Sequence, residues 1–383
     1  MTQLRIPAVY MRGGTSKGVF FHADALPADP VERDRILLRV IGSPDPYGKQ
    51  IDGMGGATSS TSKVVLVSKS ARADCDVDYL FGAVSIEAPV IDWSGNCGNL
   101  SAAVGPFAIS EGLVEGIANG MQQVRIWQAN IGKRIISHVP MRDGEVVEDG
   151  DFELDGVTFP AAEIKLEFLD PGGVGDDDGG AMFPTGQVID TLDIPDLGKI
   201  EATLINAGNP AIFVDAKALG LTGCELQEAV NNNPQLLKLC ETFRAHGAVV
   251  MGLAATADEA TAKRPHTPKL AFVSAAQDYV ASSGKLVSRK DIDLTVRILS
   301  MGKLHHAMTG TGAVAIAVAA AIPGTIVERT VGARKDEICF GHPSGSLSVG
   351  ASAVVRNGTW TVVKAVMSRS ARRLMEGAVR IPA

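Results

Sequence analysis

A chain of 383 residues, 45% hydrophobic and 21% charged, has ample material for packed cores and a length that favours two domains over one. Lys and Arg number 36 against 43 Asp and Glu, and the net charge of −7 argues against a nucleic-acid or anionic-membrane surface. Five widely spaced cysteines (Cys75, Cys97, Cys224, Cys240 and Cys339), with no C-x-x-C or C-x-x-H pairing, speak against a disulfide framework or structural zinc and for a reducing cytoplasm.

In chain order, β-branched runs at 8–11, 18–21, 63–67, 77–86, 124–131 and 135–139 predict strands separated by Gly-rich turns. Helical spacing predicts helices over 30–40, 97–111, 225–243, 291–305 and 309–321. The N-terminus lacks a signal-peptide apolar stretch, and the longest apolar run, 313–323, is too short to span a bilayer, so a soluble cytoplasmic chain is expected. The fold class that follows is α+β and sheet-rich. An acidic, turn-rich segment at 170–180, containing Asp176, Asp177 and Asp178, places the domain boundary near 185–200, giving domains 1–190 and 191–383.

An internal comparison points the same way. Segment 13–26 aligns with 206–219, placing Ser16 on Asn209 and matching two Ala-x-Ala-Leu endings. Later in each half a small-residue turn opens an apolar helix, at 96–104 and 308–316, so that Cys97 matches Thr309. Two similar half-molecules account for both matches.

Cys97 lies in Gly95-Asn-Cys-Gly-Asn99, ahead of a predicted helix, where unpaired N–H groups and the positive dipole end favour a thiolate or hold a ligand carboxylate. The plainer reading is a small buried residue at a cap. Lys63 ends a loop of glycines and hydroxyls, 51–63, and opens an apolar strand; a partly desolvated amine there is a usable general base, whereas a plain strand-edge lysine reaches solvent. The loop is not a P-loop, because Ser62 stands where glycine is required and Val64 where Ser or Thr is required. The turns at 12–18 and 309–312 offer N–H and hydroxyl donors suited to anions, as a di- or tricarboxylate needs. The adjacent pair His305 and His306, the run 176–178, and the lack of a Gly-x-Ser-x-Gly or a strand-borne Gly-x-Gly-x-x-Gly leave no signal for a metal, a serine hydrolase or a dinucleotide.

Four segments together carry a resemblance. They are Met11-Arg-Gly-Gly-Thr-Ser-Lys-Gly18, the stretch 43–63, Asp92-Trp-Ser-Gly-Asn-Cys-Gly-Asn99 with its continuation to Pro106, and Leu304-His-His-Ala-Met-Thr-Gly-Thr-Gly312. Over essentially the whole chain the sequence resembles the PrpF family. The resemblance implies a diaminopimelate-epimerase-like fold: two pseudo-symmetric domains, each a β-sheet wrapped around a central α-helix, with the site in the cleft between them and no cofactor. It implies isomerisation of an unsaturated tricarboxylate, foremost 2-methylaconitate of the 2-methylcitrate route of propionate catabolism. The alternatives are 4-oxalomesaconate tautomerisation, a methylitaconate-type 1,3-allylic shift, or a non-catalytic accessory of an aconitase-like partner.

By the same resemblance Lys63 and Cys97 are the catalytic pair, while Thr309 stands where the epimerases carry a second cysteine, a departure from a two-thiol racemase. The expected substrate contacts are Ser16, Ser59, Ser60, Thr61, Ser62, Asn96, Gly98, Asn99, Leu100 and Ser101 in the first half. In the second half they are Lys269, Met308, Thr309, Gly310 and Thr311. No metal, nucleic acid or membrane is expected as a partner; a homo-oligomer and functional coupling to an aconitase-like methylcitrate dehydratase are.

Overall fold

The computed structural model describes residues 3–172, 181–195, 198–356 and 358–382. Most of the acidic segment, including Asp176 to Asp178, lies outside the described residues. The first elements are β1 (Gln3–Gly13), β2 (Ser16–His22), α1 (Pro30–Ile41), β3 (Lys63–Lys69), β4 (Val77–Val84), β5 (Ile91–Asp92), α2 (Ser101–Ser110), β6 (Gly120–Gln128), β7 (Lys133–Arg142), β8 (Glu145–Val146) and β9 (Ile164–Leu169). There follow β10 (Asp190–Ile194), β11 (Gly198–Ala207), β12 (Asn209–Asp215), α3 (Gln227–Asn231), α4 (Pro234–Val250), α5 (Ala257–Lys263), β13 (Lys269–Ala275), β14 (Tyr279–Val280), β15 (Leu286–Val287), β16 (Leu294–Ser300) and β17 (Lys303–Leu304). The last are α6 (Gly310–Ala320), α7 (Ile326–Val331), β18 (Glu337–His342), β19 (Gly345–Arg356), β20 (Thr359–Arg369) and β21 (Ala371–Pro382).

The chain forms two compact units. One runs through Glu153 and adds Phe159–Leu166 and the C-terminal stretch from Ser368; the other comprises Leu154–Thr158 and Glu167–Met367. A single cut at 190/191 does not describe this partition, because β21 pairs antiparallel with β1 along its length, from Gln3 opposite Pro382 to Gly13 opposite Ala371. Nothing local in a sequence announces a pairing between its two ends.

Each unit uses the same pairing rule. In the first, β1–β2 is antiparallel, β2–β3 parallel, β3–β4 antiparallel, β4–β6 parallel and β6–β7 antiparallel. In the second, β11–β12, β12–β13, β13–β16, β16–β18 and β18–β19 repeat that alternation. The 3₁₀ turns that follow β2 and β12, Ala23–Ala25 and Ala216–Leu219, fall on the two aligned Ala-x-Ala-Leu endings. The register makes two lysines equivalent: Val19 pairs with Val64, one residue beyond Lys63, and Ile212 pairs with Leu270, one residue beyond Lys269.

At the middle of each unit lies a helix buried on all sides, α2 over Ser101–Ile109 and α6 over Gly310–Ala320, as expected of helices with no polar face. Small residues make this possible. A Cβ on Gly105 would stand 2.8 Å from Ser137 Oγ and Val139 Cγ2 of β7, so only glycine lets the sheet approach. By contrast α1 is a surface helix, capped by the Asp29 carboxylate accepting from Glu32 N at 2.9 Å, started by Pro30 and stopped by Gly42 at φ +83°.

Three predicted helices need correction. Residues 291–305 form strands β16 and β17: Thr295, Val296 and Ile298 are β-branched, and every residue of β16 is buried, so the continuous apolar run mimicked a helical pattern. The segment 225–243 divides into α3 and α4 at Asn233, whose side chain accepts from Leu236 N at 3.0 Å ahead of Pro234. The helix expected from Cys97 begins at Ser101, so Cys97 lies in the turn leading to it. No helix among the described residues is long and apolar enough to cross a membrane.

Candidate active site

In the first unit three segments meet. The hairpin turn between β1 and β2 needs Gly14 at φ +49°, and Lys17 N donates to Ser60 O at 2.9 Å, which joins the hydroxyl-rich loop to β2. A Cβ on Gly13 would lie 2.7 Å from Asn99 O and 3.0 Å from Leu100 Cα; one on Gly18 would lie 3.0 Å from Leu100 Cδ1 and 3.2 Å from Lys63 Cβ. The glycines of 13–18 therefore serve close approach, bringing Lys63 and the turn 96–101 against the same hairpin.

Lys63 is 4% exposed, and its Nζ sits 4.8 Å from the centroid of the Phe81 ring. Among the described residues no acceptor or carboxylate meets this Nζ, so the ring face is its contact. Phe81 and Tyr79 are alternate residues of β4 and share a face; both are fully buried. Tyr79 Oη donates to Cys97 O at 3.3 Å. Lys63 and Cys97 thus sit over successive side chains of one strand face. Burial pushes the Tyr79 phenol well above its ordinary value, and negative charge at Cys97 adds to that direction.

Cys97 is 7% exposed. Its carbonyl accepts from Ser101 N at 3.0 Å and from Ser101 Oγ at 3.1 Å, so the Ser101 hydroxyl builds the turn. Leu100 is the N-cap of α2 without a side-chain cap bond, and no acceptor among the described residues meets the N–H of Gly98 or Leu100. The turn therefore offers N–H donors at the positive end of a buried ten-residue helix.

Of the hydroxyls predicted in the first half, Ser16 Oγ is buried without a hydrogen-bond partner. Ser62 Oγ donates to Gln50 Oε1 at 2.7 Å, and Thr61 Oγ1 lies 2.8 Å from Thr58 Oγ1, so these two hold the loop together. Ser60 Oγ lies 3.0 Å from Thr58 Oγ1, and Ser59 is half-buried in the same loop. Asn96 and Asn99 are buried, Asn99 Nδ2 donating to Thr15 Oγ1 at 3.0 Å. Arg369, which the sequence did not single out, lies 1% exposed beside this turn and donates from Nε to Asn99 Oδ1 at 3.0 Å.

The second unit builds a related cluster. Lys269, 2% exposed, donates to Ser300 Oγ at 3.2 Å and to His266 O at 3.3 Å, and Asn209 Nδ2 lies 3.4 Å from His266 Nε2. His266 and Ser300 also escaped the sequence reading. Thr309 Oγ1 accepts from Gly312 N at 3.1 Å as the N-cap of α6, so this hydroxyl has a structural task. A Cβ on Gly312 would stand 2.5 Å from that oxygen. Thr311 Oγ1 is buried without a partner, and Met308 and Gly310 are buried beside the cap. Among the described residues no group of three or more His, Cys, Asp or Glu is placed to hold a metal ion.

A hydroxyproline epimerase from Agrobacterium vitis superposes with a TM-score of 0.56 at 13% identity, covering 99% of this chain and 93% of that one, which defines a diaminopimelate-epimerase-like fold. A crystal structure of methylitaconate-delta-isomerase matches with a TM-score of 0.75 at 41% identity, over 100% of this chain and 96% of that chain. The chain is an isomerase. It belongs to the PrpF family, whose model, described as PrpF protein, matches residues 3–382. Two relatives named 2-methyl-aconitate isomerase, from Cupriavidus necator and Shewanella oneidensis, are 63% and 61% identical, each aligned over 99% of this chain and 98% of its own length.

Proposed function

We propose that this chain interconverts the cis and trans isomers of an unsaturated tricarboxylate, with 2-methylaconitate as substrate, by allylic proton transfer. The observation that carries the reading is the buried Lys63 amine, set over Phe81 with no acceptor among the described residues. The 61–63% identity to relatives named for that substrate supports the choice of tricarboxylate.

The chemistry follows from the substrate. An allylic C–H is acidified when the adjoining carboxylates are held by N–H donors, and Lys63 acts as the base that removes that proton. The electron pair left behind delocalises through the former double bond into a carboxylate as a dienolate. The N–H groups of Gly98 and Leu100 and the positive end of α2 offset the negative charge. With its bond order lowered, the former double bond rotates, and return of the proton to the same carbon gives the other geometric isomer. Cys97 acts either as the acid that returns the proton or as the group that orients the anion. The reaction needs no cofactor, and it couples to an aconitase-like dehydratase because hydration requires one geometric isomer.

The test is incubation of the purified chain alone with cis and trans 2-methylaconitate, alongside 4-oxalomesaconate and methylitaconate, followed by proton NMR. Interconversion of the methylaconitates faster than any change in the other two is expected. Turnover confined to 4-oxalomesaconate or methylitaconate would move the substrate while keeping the proton-transfer step. Absence of turnover on all of them would favour the accessory role.

A further inference from the structure

Arg369 ends β20 and is one of the largest fully buried side chains. Its hydrogen bonds run from Nε to Asn99 Oδ1 and from Nη1 to Ser368 O, both at 3.0 Å, and leave Nη2 without a partner. No Asp or Glu among the described residues forms an ion pair with it. Buried guanidinium groups are ordinarily matched by a carboxylate, because an uncompensated charge in a low-dielectric interior is costly. Burial lowers the Arg369 pKa to about 10, and negative charge at Cys97 is what opposes that direction.

Its surroundings point to an anion. Gly14 packs on it, since a Cβ there would stand 3.0 Å from Arg369 Cδ and 2.6 Å from Asn99 Oδ1. Across the same hairpin Gly13 pairs with Ser16, whose buried hydroxyl has no partner. The uncapped start of α2 follows Asn99 directly. A planar guanidinium fork, an open hydroxyl and free N–H groups make a donor set that matches a carboxylate.

We propose that Arg369 is a substrate-binding residue that, with Ser16 and the start of α2, receives one carboxylate of the substrate. This rests on the tricarboxylate reading above, and names the cation of that site. The probe is tricarballylate, a saturated tricarboxylate that has no double bond to isomerise. Its binding to the purified full chain is measured by calorimetry for wild type, Arg369→Met, Arg369→Lys and Ser16→Ala, with thermal melts as a check on folding. Arg369→Met is expected to weaken binding by roughly 30-fold or more, Ser16→Ala by roughly 3- to 10-fold, and Arg369→Lys to recover part of the loss. Kinetically KM rises more than kcat falls.

Folded Arg369→Met binding tricarballylate within twofold of wild type would overturn the assignment. Should Arg369→Met fail to fold, wild-type affinity in both Arg369→Lys and Ser16→Ala would overturn it equally. Methylaconitate turnover by the wild type, with Arg369 variants binding normally, refutes Arg369 and spares the substrate reading. Arg369-dependent tricarballylate binding without turnover supports Arg369 and refutes the isomerase substrate.

Discussion

Replacing Arg369 by Met separates the thermodynamic and functional consequences of a buried charge. The lowering of the guanidinium from its ordinary value to about 10 corresponds to about 3 kcal/mol of unfavourable burial. Above about pH 10 the unfolded chain holds the proton more fully than the folded chain, so stability rises with pH there; below about pH 10 the full penalty is present. Methionine of similar length removes the penalty and forfeits the bonds to Asn99 Oδ1 and Ser368 O, at about 0.5–1.5 kcal/mol each. The variant is therefore expected to match wild type or exceed it by up to about 2 kcal/mol at pH 8, with the gap narrowing as pH approaches 11. Urea unfolding followed by far-UV circular dichroism and by tryptophan fluorescence, at pH 8 and pH 10.5, measures this. A loss of 3 kcal/mol or more at pH 8 would show that Arg369 chiefly fastens β20 to Asn99, and would refute the reasoning.

Three further substitutions probe the site. Lys63→Ala is expected to lower kcat by roughly 100-fold or more, the scale of losing a general base, with the melting temperature held; near-normal turnover would remove Lys63 from the mechanism. Cys97→Ser should keep the fold and lose most activity, and unchanged steady-state kinetics would leave Cys97 a turn residue alone. Gly13→Ala places a methyl 2.7 Å from Asn99 O and 3.2 Å from Ala103 Cβ, rigid neighbours that cannot yield cheaply. It should cost about 1–3 kcal/mol by chemical denaturation and depress kcat as the start of α2 shifts; a neutral result on both counts would show the hairpin is not seated as described.

What a sequence discloses of a fold depends on the range of the interaction concerned. The repeat was legible because each half states its own strand, 3₁₀ turn and helix start in local composition; the equivalence of Lys63 and Lys269 needed the parallel registers that place each lysine one residue before a paired position. Gly312 and Thr309 were legible as a helix start, whereas the role of the Thr309 hydroxyl as its cap is a matter of geometry. Arg369, His266 and Ser300 sit in no motif and reach their clusters through tertiary contacts. The misread strand β16 shows the converse: buried on both faces and carrying the buried Arg297, it lost the alternation that marks a strand with one wet side.

The most direct measurement of the central claim is isomerisation of 2-methylaconitate in heavy water, followed by proton NMR, for wild type and Lys63→Ala side by side. Proton transfer through Lys63 predicts that wild type places deuterium at the allylic position as the isomers interconvert, and that Lys63→Ala slows interconversion and deuterium entry together by roughly 100-fold or more. Deuterium entry at the wild-type rate in Lys63→Ala would contradict it.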